Sequence, residues 1–133
     1  MSIVLDPPVE SAPSDAGPAA AATAAWHRVC RVDDLEPEWG EAALVDGEQV
    51  ALYRLWDGTV HAVSNRDPST GSYVMARGIV GSRNNRPTVA SPLHKQVYDL
   101  LTGECLSHPG LTVPVFSTRI VDGIVALSLH PPA

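Results

Sequence analysis

Cysteine is scarce in this sequence, which has only Cys30 and Cys105 among its 133 residues. Two cysteines permit one disulfide at most, and no secretory signal precedes them, so we expect reduced thiols in a cytoplasmic protein. A secreted scaffold stabilised by several disulfides is therefore excluded. Long apolar runs are also missing. Because none approaches the roughly 20 residues of a membrane span, we expect no membrane association.

Basic residues are absent from the first 25 positions, which hold eight alanines, four prolines and three acids. A targeting peptide would need a cationic segment or a basic amphipathic face, and this stretch has neither. The prolines also oppose a stable helix in the alanine run at residues 19–22. We therefore predict that residues 1–25 form a disordered, Ala/Pro-rich tail.

The remainder of the chain favours a single all-β domain over residues 26–130. Short β-branched and aromatic runs alternate with turn signals, and Asp-Gly pairs at 46–47, 57–58 and 122–123 indicate hairpins. A domain of this size can bury a core without disulfides or metal. The predicted strands are 26–32, 41–45, 49–55, 60–63, 88–91, 97–100, 112–116 and 124–129. One short helical turn is predicted at 33–36.

Two loops carry unusual polar residues. The first, at 64–71, reads Ser-Asn-Arg-Asp-Pro-Ser-Thr-Gly, and the second, at 91–96, reads Ser-Pro-Leu-His-Lys-Gln. Their Asp-Pro-Ser and Ser-Pro-Leu-His segments resemble the C-x-H and C-x2-H boxes with which Rieske domains hold a [2Fe–2S] cluster. The resemblance implies a Rieske-like antiparallel β-sandwich or barrel with two ligand-loop hairpins. It places the four ligand positions at Asp67, Ser69, Ser91 and His94.

Three of those four positions lack a cluster ligand. A Rieske cluster needs two thiolates and two imidazoles, whereas aspartate is a hard oxygen donor suited to magnesium or calcium. Cys105 and His108 have the spacing of a metal-binding pair, but a buried thiol and a partly exposed imidazole explain them as well. No nucleophilic elbow or phosphate-binding glycine loop is apparent. We therefore predict no metal, no cofactor and no catalytic residue on this chain.

Positive charge is concentrated between residues 66 and 95. This stretch has five cations and the single acid Asp67, although the whole chain has a net charge of −6. The cations are Arg66, Arg77, Arg83, Arg86 and Lys95. If the two loops lie together, we expect the insert at residues 71–87 to pack beside them and bring most of the chain's arginines to the same rim, which suits an acidic protein partner or a small anion. Nucleic acid fits an acidic chain poorly. The alternative is an ordinary solvated loop at residues 81–86.

Longer matching segments indicate a particular family. They are DGEQVAL at 46–52, NRDP at 65–68, RGIVG at 77–81, VASPLHKQ at 89–96 and LTGECL at 101–106. With them, residues 26–129 resemble the small subunits of cytoplasmic NAD(P)H-dependent assimilatory nitrite reductase, a Rieske-like group without the cluster ligands. The resemblance implies a non-catalytic accessory subunit. Its partner would be a large subunit that carries siroheme, an iron–sulfur cluster, FAD and the NAD(P)H site and reduces nitrite to ammonium.

Two other functions stay open at this point. A Rieske ferredoxin that carries electrons would share the fold, but it would need the missing ligands. A stand-alone binding or scaffolding module of the same fold would need no ligands at all. A neighbouring gene for a siroheme-containing partner would distinguish the accessory subunit from the stand-alone module.

Overall fold

The structure is a computed structural model that describes residues 2–4 and 26–129. Within these residues the strands, β1 to β10 in chain order, are Ser2–Val4, His27–Arg31, Gly40–Val45, Glu48–Arg54, Val60–Ser64, Ile79–Arg83, Arg86–Ala90, Val97–Asp99, Val115–Val121 and Ile124–Ser128. Short 3₁₀ turns lie at Val32–Asp34 and Met75–Arg77. The predicted all-β class is confirmed. In this described part, no helix is long and apolar enough to cross a membrane.

The predicted tail at residues 1–25 is described only in part. Ser2–Val4 forms β1, which pairs in parallel with β3. The remaining residues of that prediction lie outside the described residues.

A seven-stranded sheet forms the larger part of the domain, in the order β1-β3-β4-β5-β9-β10-β2. Apart from β1 with β3, its strands pair antiparallel. Its first core contains buried side chains from both ends of the strand order, such as Val29 of β2, Leu52 of β4 and Leu127 of β10. The sheet must therefore curve around this core, because a flat sheet would keep those strands apart.

A three-stranded sheet in the order β6-β7-β8 covers the opposite face of β4 and β5. The second core lies between the sheets and includes Tyr53 and Val63 from the large sheet with Val89 and Tyr98 from the small one. Alternation along β4 therefore buries side chains on both faces, because Leu52 enters the first core and Tyr53 the second. The Tyr53 hydroxyl donates a hydrogen bond to the Met75 carbonyl, which links β4 to the following 3₁₀ turn.

Tight turns explain where the sequence predicted strands well and where it did not. The Asp-Gly pairs at 46–47 and 122–123 have positive φ at both residues, as a type I′ turn requires, and they join β3 to β4 and β9 to β10. Asn84 and Asn85 also have φ of 53° and 65° and join β6 to β7. Residues 81–86 contain no Asp-Gly pair, so no strand was predicted where β6 lies at Ile79–Arg83. The strand predicted at 112–116 is Val115–Val121 in the structure.

Candidate functional site

Two loops meet at one end of the domain, and each continues directly from a strand. β5 leads into loop 1 (residues 65–72), and β7 leads into loop 2 (residues 91–96), which returns as β8. The Ser91 hydroxyl donates a hydrogen bond of 2.5 Å to Oδ2 of Asp67, so the loops are joined directly. Asp67 and Ser91 are the residues that the resemblance placed at the two cysteine positions.

The Asp67 carboxylate is fully buried, and loop 1 is wrapped around it. Its Oδ1 accepts a hydrogen bond from the backbone N–H of Ser69 over 2.7 Å. Its own backbone closes the loop in both directions, since the N–H donates to Ser72 and the carbonyl accepts from Gly71, each over 2.7 Å. A buried carboxylate requires such donors, because burial without hydrogen bonds is strongly unfavourable. Loop 1 is therefore ordered around a buried, hydrogen-bonded acid.

Loop 2 is closed by the backbone and by the same serine. The Ser91 N–H donates to the Gln96 carbonyl over 2.8 Å, and the Ser91 hydroxyl oxygen accepts from the Leu93 N–H over 3.2 Å. At the tip, His94 and Lys95 have φ of 60° and 55°, a left-handed conformation that is uncommon for residues other than glycine. Both side chains are exposed. The tip of loop 2 therefore presents an imidazole and an ammonium group to solvent.

The four Rieske ligand positions do not fit a [2Fe–2S] cluster. They supply a carboxylate, two hydroxyls and one imidazole, and the carboxylate and one hydroxyl are hydrogen-bonded to each other. Iron in such a cluster is held by thiolates and imidazoles, and Ser69 and His94 are exposed rather than directed into a shared buried site. Elsewhere in residues 26–129, no three His, Cys, Asp or Glu side chains lie close enough to hold a metal ion.

Tyr98 is a buried polar residue near this site that the sequence analysis did not single out. Its side chain is in the second core, and its hydroxyl has no hydrogen-bond partner among the described residues. Burial raises the pKa of Tyr98 to about 12, and the negative charge of Asp67 acts in the same direction. Alternation along β8 could have placed Tyr98 in the core, but no sequence signal reveals an unpartnered hydroxyl.

The five candidate cations are divided between opposite ends of the domain. Lys95 is in loop 2 and Arg66 is in loop 1. Arg77 is followed by Gly78, where an added Cβ would lie only 2.6 Å from the carbonyl oxygen of Ala90, the residue before loop 2. Arg77 is therefore close to loop 2. These three cations therefore lie at the loop end.

Arg83 and Arg86 flank the β6–β7 turn, and Arg86 is four residues before Ala90 along β7, or about 13 Å in an extended strand. The expectation that the insert brings its arginines to the loop rim is therefore wrong for Arg83 and Arg86. It failed because residues 79–90 form a hairpin whose turn points away from the loops.

Arg86 also has a partner within the domain. Its Nε donates to Oδ2 of Asp99 over 2.5 Å, and the other oxygen of Asp99 accepts from the backbone N–H groups of Leu101 and Thr102. Burial alone would raise the pKa of Asp99, but the Arg86 bond and the two backbone donors outweigh it and lower that pKa overall. Arg86 therefore neutralises a buried acid, which makes it a poor candidate for a partner contact.

The fold and the joined loops define a Rieske-like domain, and the family comparison agrees. Residues 25–128 match the family of the Rieske-like [2Fe-2S] domain. The match covers the described part of the chain from β2 to β10, and both loops fall inside it.

Individual relatives narrow this class further. The nitrite reductase (NADH) small subunit of Escherichia coli strain K12 is 39% identical over 103 residues, which are 77% of this chain and 95% of that protein. A crystal structure of a Mycobacterium tuberculosis protein, assigned as an NADH-dependent nitrite reductase small subunit, is 43% identical. It superposes with a TM-score of 0.78 and covers 84% of this chain and 99% of that one. The chain belongs to the family of nitrite reductase (NADH) small subunits.

One relative is a much longer protein. The nitrite reductase [NAD(P)H] large subunit of Klebsiella oxytoca is 30% identical over 100 residues. These residues make up 75% of this chain and 10% of that protein. A domain similar to this chain is therefore part of the same polypeptide as a large subunit in that bacterium.

Proposed function

We propose that this chain, through its Rieske-like domain at residues 26–130, is the accessory small subunit of an NAD(P)H-dependent nitrite reductase. The observation that carries the proposal is the direct Asp67–Ser91 hydrogen bond at the position of the two cluster cysteines, in a chain of this family. The two cysteine positions hold an aspartate and a serine that are hydrogen-bonded to each other, so they provide no thiolate for iron. The loops therefore cannot act as the electron-carrying centre of a Rieske ferredoxin. They can present a fixed surface to another protein.

The partner in this proposal is the large catalytic subunit. Support comes from the K. oxytoca large subunit, because a domain joined covalently to a protein is held at a high effective concentration beside it. The large subunit would carry siroheme, an iron–sulfur cluster, FAD and the NAD(P)H site, and it would reduce nitrite to ammonium. The complex would be cytoplasmic, in keeping with two free thiols among the described residues.

The loop end is the proposed contact surface. Arg66, Arg77 and Lys95 are exposed there, and none of them has an ion pair among the described residues. Such cations favour association with an acidic surface and determine its orientation, with an effect that salt weakens. Arg83 lies at the opposite end and is a matched control, because it is also an exposed arginine.

Co-expression with the cognate large subunit tests the proposal. We expect a stable complex whose nitrite-dependent oxidation of NAD(P)H is lower when the small subunit is omitted. Reversal of two loop-end charges, in Arg77→Glu with Lys95→Glu, is expected to weaken the complex about tenfold at low salt, whereas Arg83→Glu changes it less than twofold. Failure of the unmodified chain to associate with the large subunit would refute the proposed function. Equal effects at both ends would refute only the assigned surface.

A further inference from the structure

We propose that two adjoining cavities beside His61 bind an organic cation, in which a planar amidinium or guanidinium group is carried on an apolar body. The cavities lie at the end of the domain opposite the loops. Their linings come from the β4–β5 connection, the β6–β7 turn and the segment after β8, together with β5 and β9. The inference concerns a second site on the chain and does not depend on the proposed function.

The two cavities share a wall. The first has a volume of about 550 Å³ and a mostly apolar lining that includes Val115 and Phe116. The second has a volume of about 500 Å³. Thr59, His61 and Leu101 line both, so these three side chains separate one cavity from the other. Concave sites of this size, with an apolar lining and a few polar groups, are typical of small-molecule binding.

The His61 imidazole is held in one tautomer by a chain of hydrogen bonds. The Thr59 hydroxyl donates its single proton to Oδ1 of Asp57 over 2.7 Å, so its oxygen can only accept from Nε2 of His61, which lies 3.1 Å away. Burial lowers the pKa of His61 from its ordinary value of 6.5, which keeps the ring neutral at neutral pH. The proton is therefore on Nε2, and Nδ1 is an acceptor with no hydrogen-bond partner among the described residues.

Negative charge is concentrated in the second cavity. Asp57 and Glu38 line it, whereas none of the lysines and arginines of the described residues does. The hydrogen bonds from the Thr59 hydroxyl and N–H lower the pKa of Asp57, so its carboxylate is ionised at neutral pH. The Trp56 N–H donates to Oε2 of Glu38 over 3.0 Å, which holds that carboxylate in place. A ligand in this cavity therefore meets two carboxylates and the Nδ1 acceptor, and it must supply N–H donors and positive charge.

A single metal ion does not satisfy this arrangement. Within the described ranges, no three His, Cys, Asp or Glu side chains lie close enough to hold one, so the two carboxylates and the imidazole are too far apart to share an ion. An amidinium or guanidinium group spreads its positive charge and up to about five N–H donors over a plane, so it can reach acceptors on different sides. The apolar body attached to it then extends past His61 and packs in the first cavity against Phe116.

Benzamidine is a suitable probe because it joins an amidinium group to an aromatic ring. We expect it to bind the purified full-length chain with a dissociation constant of about 1 mM or lower, which is ordinary for a ligand of about nine non-hydrogen atoms. Amide chemical shifts in NMR spectra measure the binding, and the largest changes are expected at Thr59, His61 and Leu101. Benzamide has the same shape without the charge and should bind at least tenfold more weakly.

Two variants assign the binding to this site. Glu38→Gln removes one charge but keeps an oxygen for the Trp56 N–H, and it is expected to weaken benzamidine binding at least fivefold. The matched control is Glu36→Gln, the same change at an exposed residue outside both cavities, and it should change binding less than twofold. His61→Phe keeps a ring but removes the Nδ1 acceptor, so we expect a loss of at least fivefold there also.

The inference would be overturned if benzamidine did not bind at concentrations up to about 10 mM. Equal binding of benzamidine and benzamide would also overturn it, because the cavities would then accept any aromatic molecule. The same conclusion would follow if both Glu38→Gln and His61→Phe bound benzamidine as tightly as the control variant.

Addition of the purified large subunit to the benzamidine-loaded chain distinguishes two sources of the cation. Release of benzamidine would identify an arginine side chain of the partner as the ligand, whereas retention would identify a free small molecule. Either result supports the site. If the chain does not bind the large subunit, the proposed function fails, but the binding of benzamidine by the chain alone still tests this inference.

Discussion

Asp67 and Asp99 are both buried acids, but they hold opposite ends of the domain by different means. Asp67 joins loop 1 to loop 2 through the neutral hydroxyl of Ser91 and a backbone N–H. Asp99 joins β8 to β7 through the guanidinium of Arg86, together with two backbone N–H groups. Asp67, which has no ion pair among the described residues, lies at the end where related domains bind a metal cluster.

We propose that the hydrogen bonds at the loop end take the place of a metal site without loss of the fold. At the loop end a carboxylate and a hydroxyl connect the segments that thiolates and iron would connect in a cluster-binding domain. Each hydrogen bond contributes only about 0.5–3 kcal/mol, but both cores are already formed by the two sheets. At the opposite end, an ordinary ion pair with Arg86 neutralises the buried Asp99.

The largest effect is expected from removing Asp99. In Asp99→Ala the backbone N–H groups of Leu101 and Thr102 lose their acceptor and Arg86 loses its partner, so we expect a loss of about 2–4 kcal/mol in the free energy of unfolding. Urea denaturation measures it, with the exposed Glu36→Ala as the matched control. A loss below about 1 kcal/mol would show that water replaces the acceptor and that this end is not held by Asp99.

A smaller effect is expected at the loop end. Asp67→Ala should lower the free energy of unfolding by about 1–3 kcal/mol and Ser91→Ala by about 1 kcal/mol, because each removes the bond between the loops. Since they remove the same bond, the double variant should be less destabilised than the sum, with a coupling of about 1 kcal/mol. Strict additivity in urea denaturation would mean that the Asp67–Ser91 bond does not stabilise the domain.

The smallest effect is a pH dependence at Asp99. Because its pKa is lowered in the folded chain from an ordinary value of 3.8, its contribution is complete above that value and is lost as pH falls through the lower, folded pKa. We expect the stability gap between the unmodified chain and Asp99→Asn to be constant from pH 7 to about pH 5 and to narrow below 3.8. A gap that stays constant down to pH 2.5 would contradict the lowered pKa.

Much of this organisation could be predicted from the sequence, and the failures have physical causes. The loop motifs placed Asp67 and Ser91 at the two cysteine positions, because the spacing of the cluster ligands is fixed in the Rieske fold. Asp99 was missed because an acid within an alternating strand resembles an exposed residue until its partner is known. The predicted position of Arg83 and Arg86 was wrong because Asn84 and Asn85 between them form the turn of a hairpin. These two residues adopt the positive φ that Asp-Gly pairs more often signal.

Iron and acid-labile sulfide in the purified chain test the central claim most directly. That claim is that the two loops are held by the Asp67–Ser91 hydrogen bond in place of a cluster. The chain should be produced with ample iron and purified without oxygen, so that a cluster would survive if the loops could bind one. We predict a colourless protein with no stoichiometric iron or sulfide and an unchanged fold. About two irons and two sulfides per chain, with visible absorption that dithionite bleaches, would contradict the account.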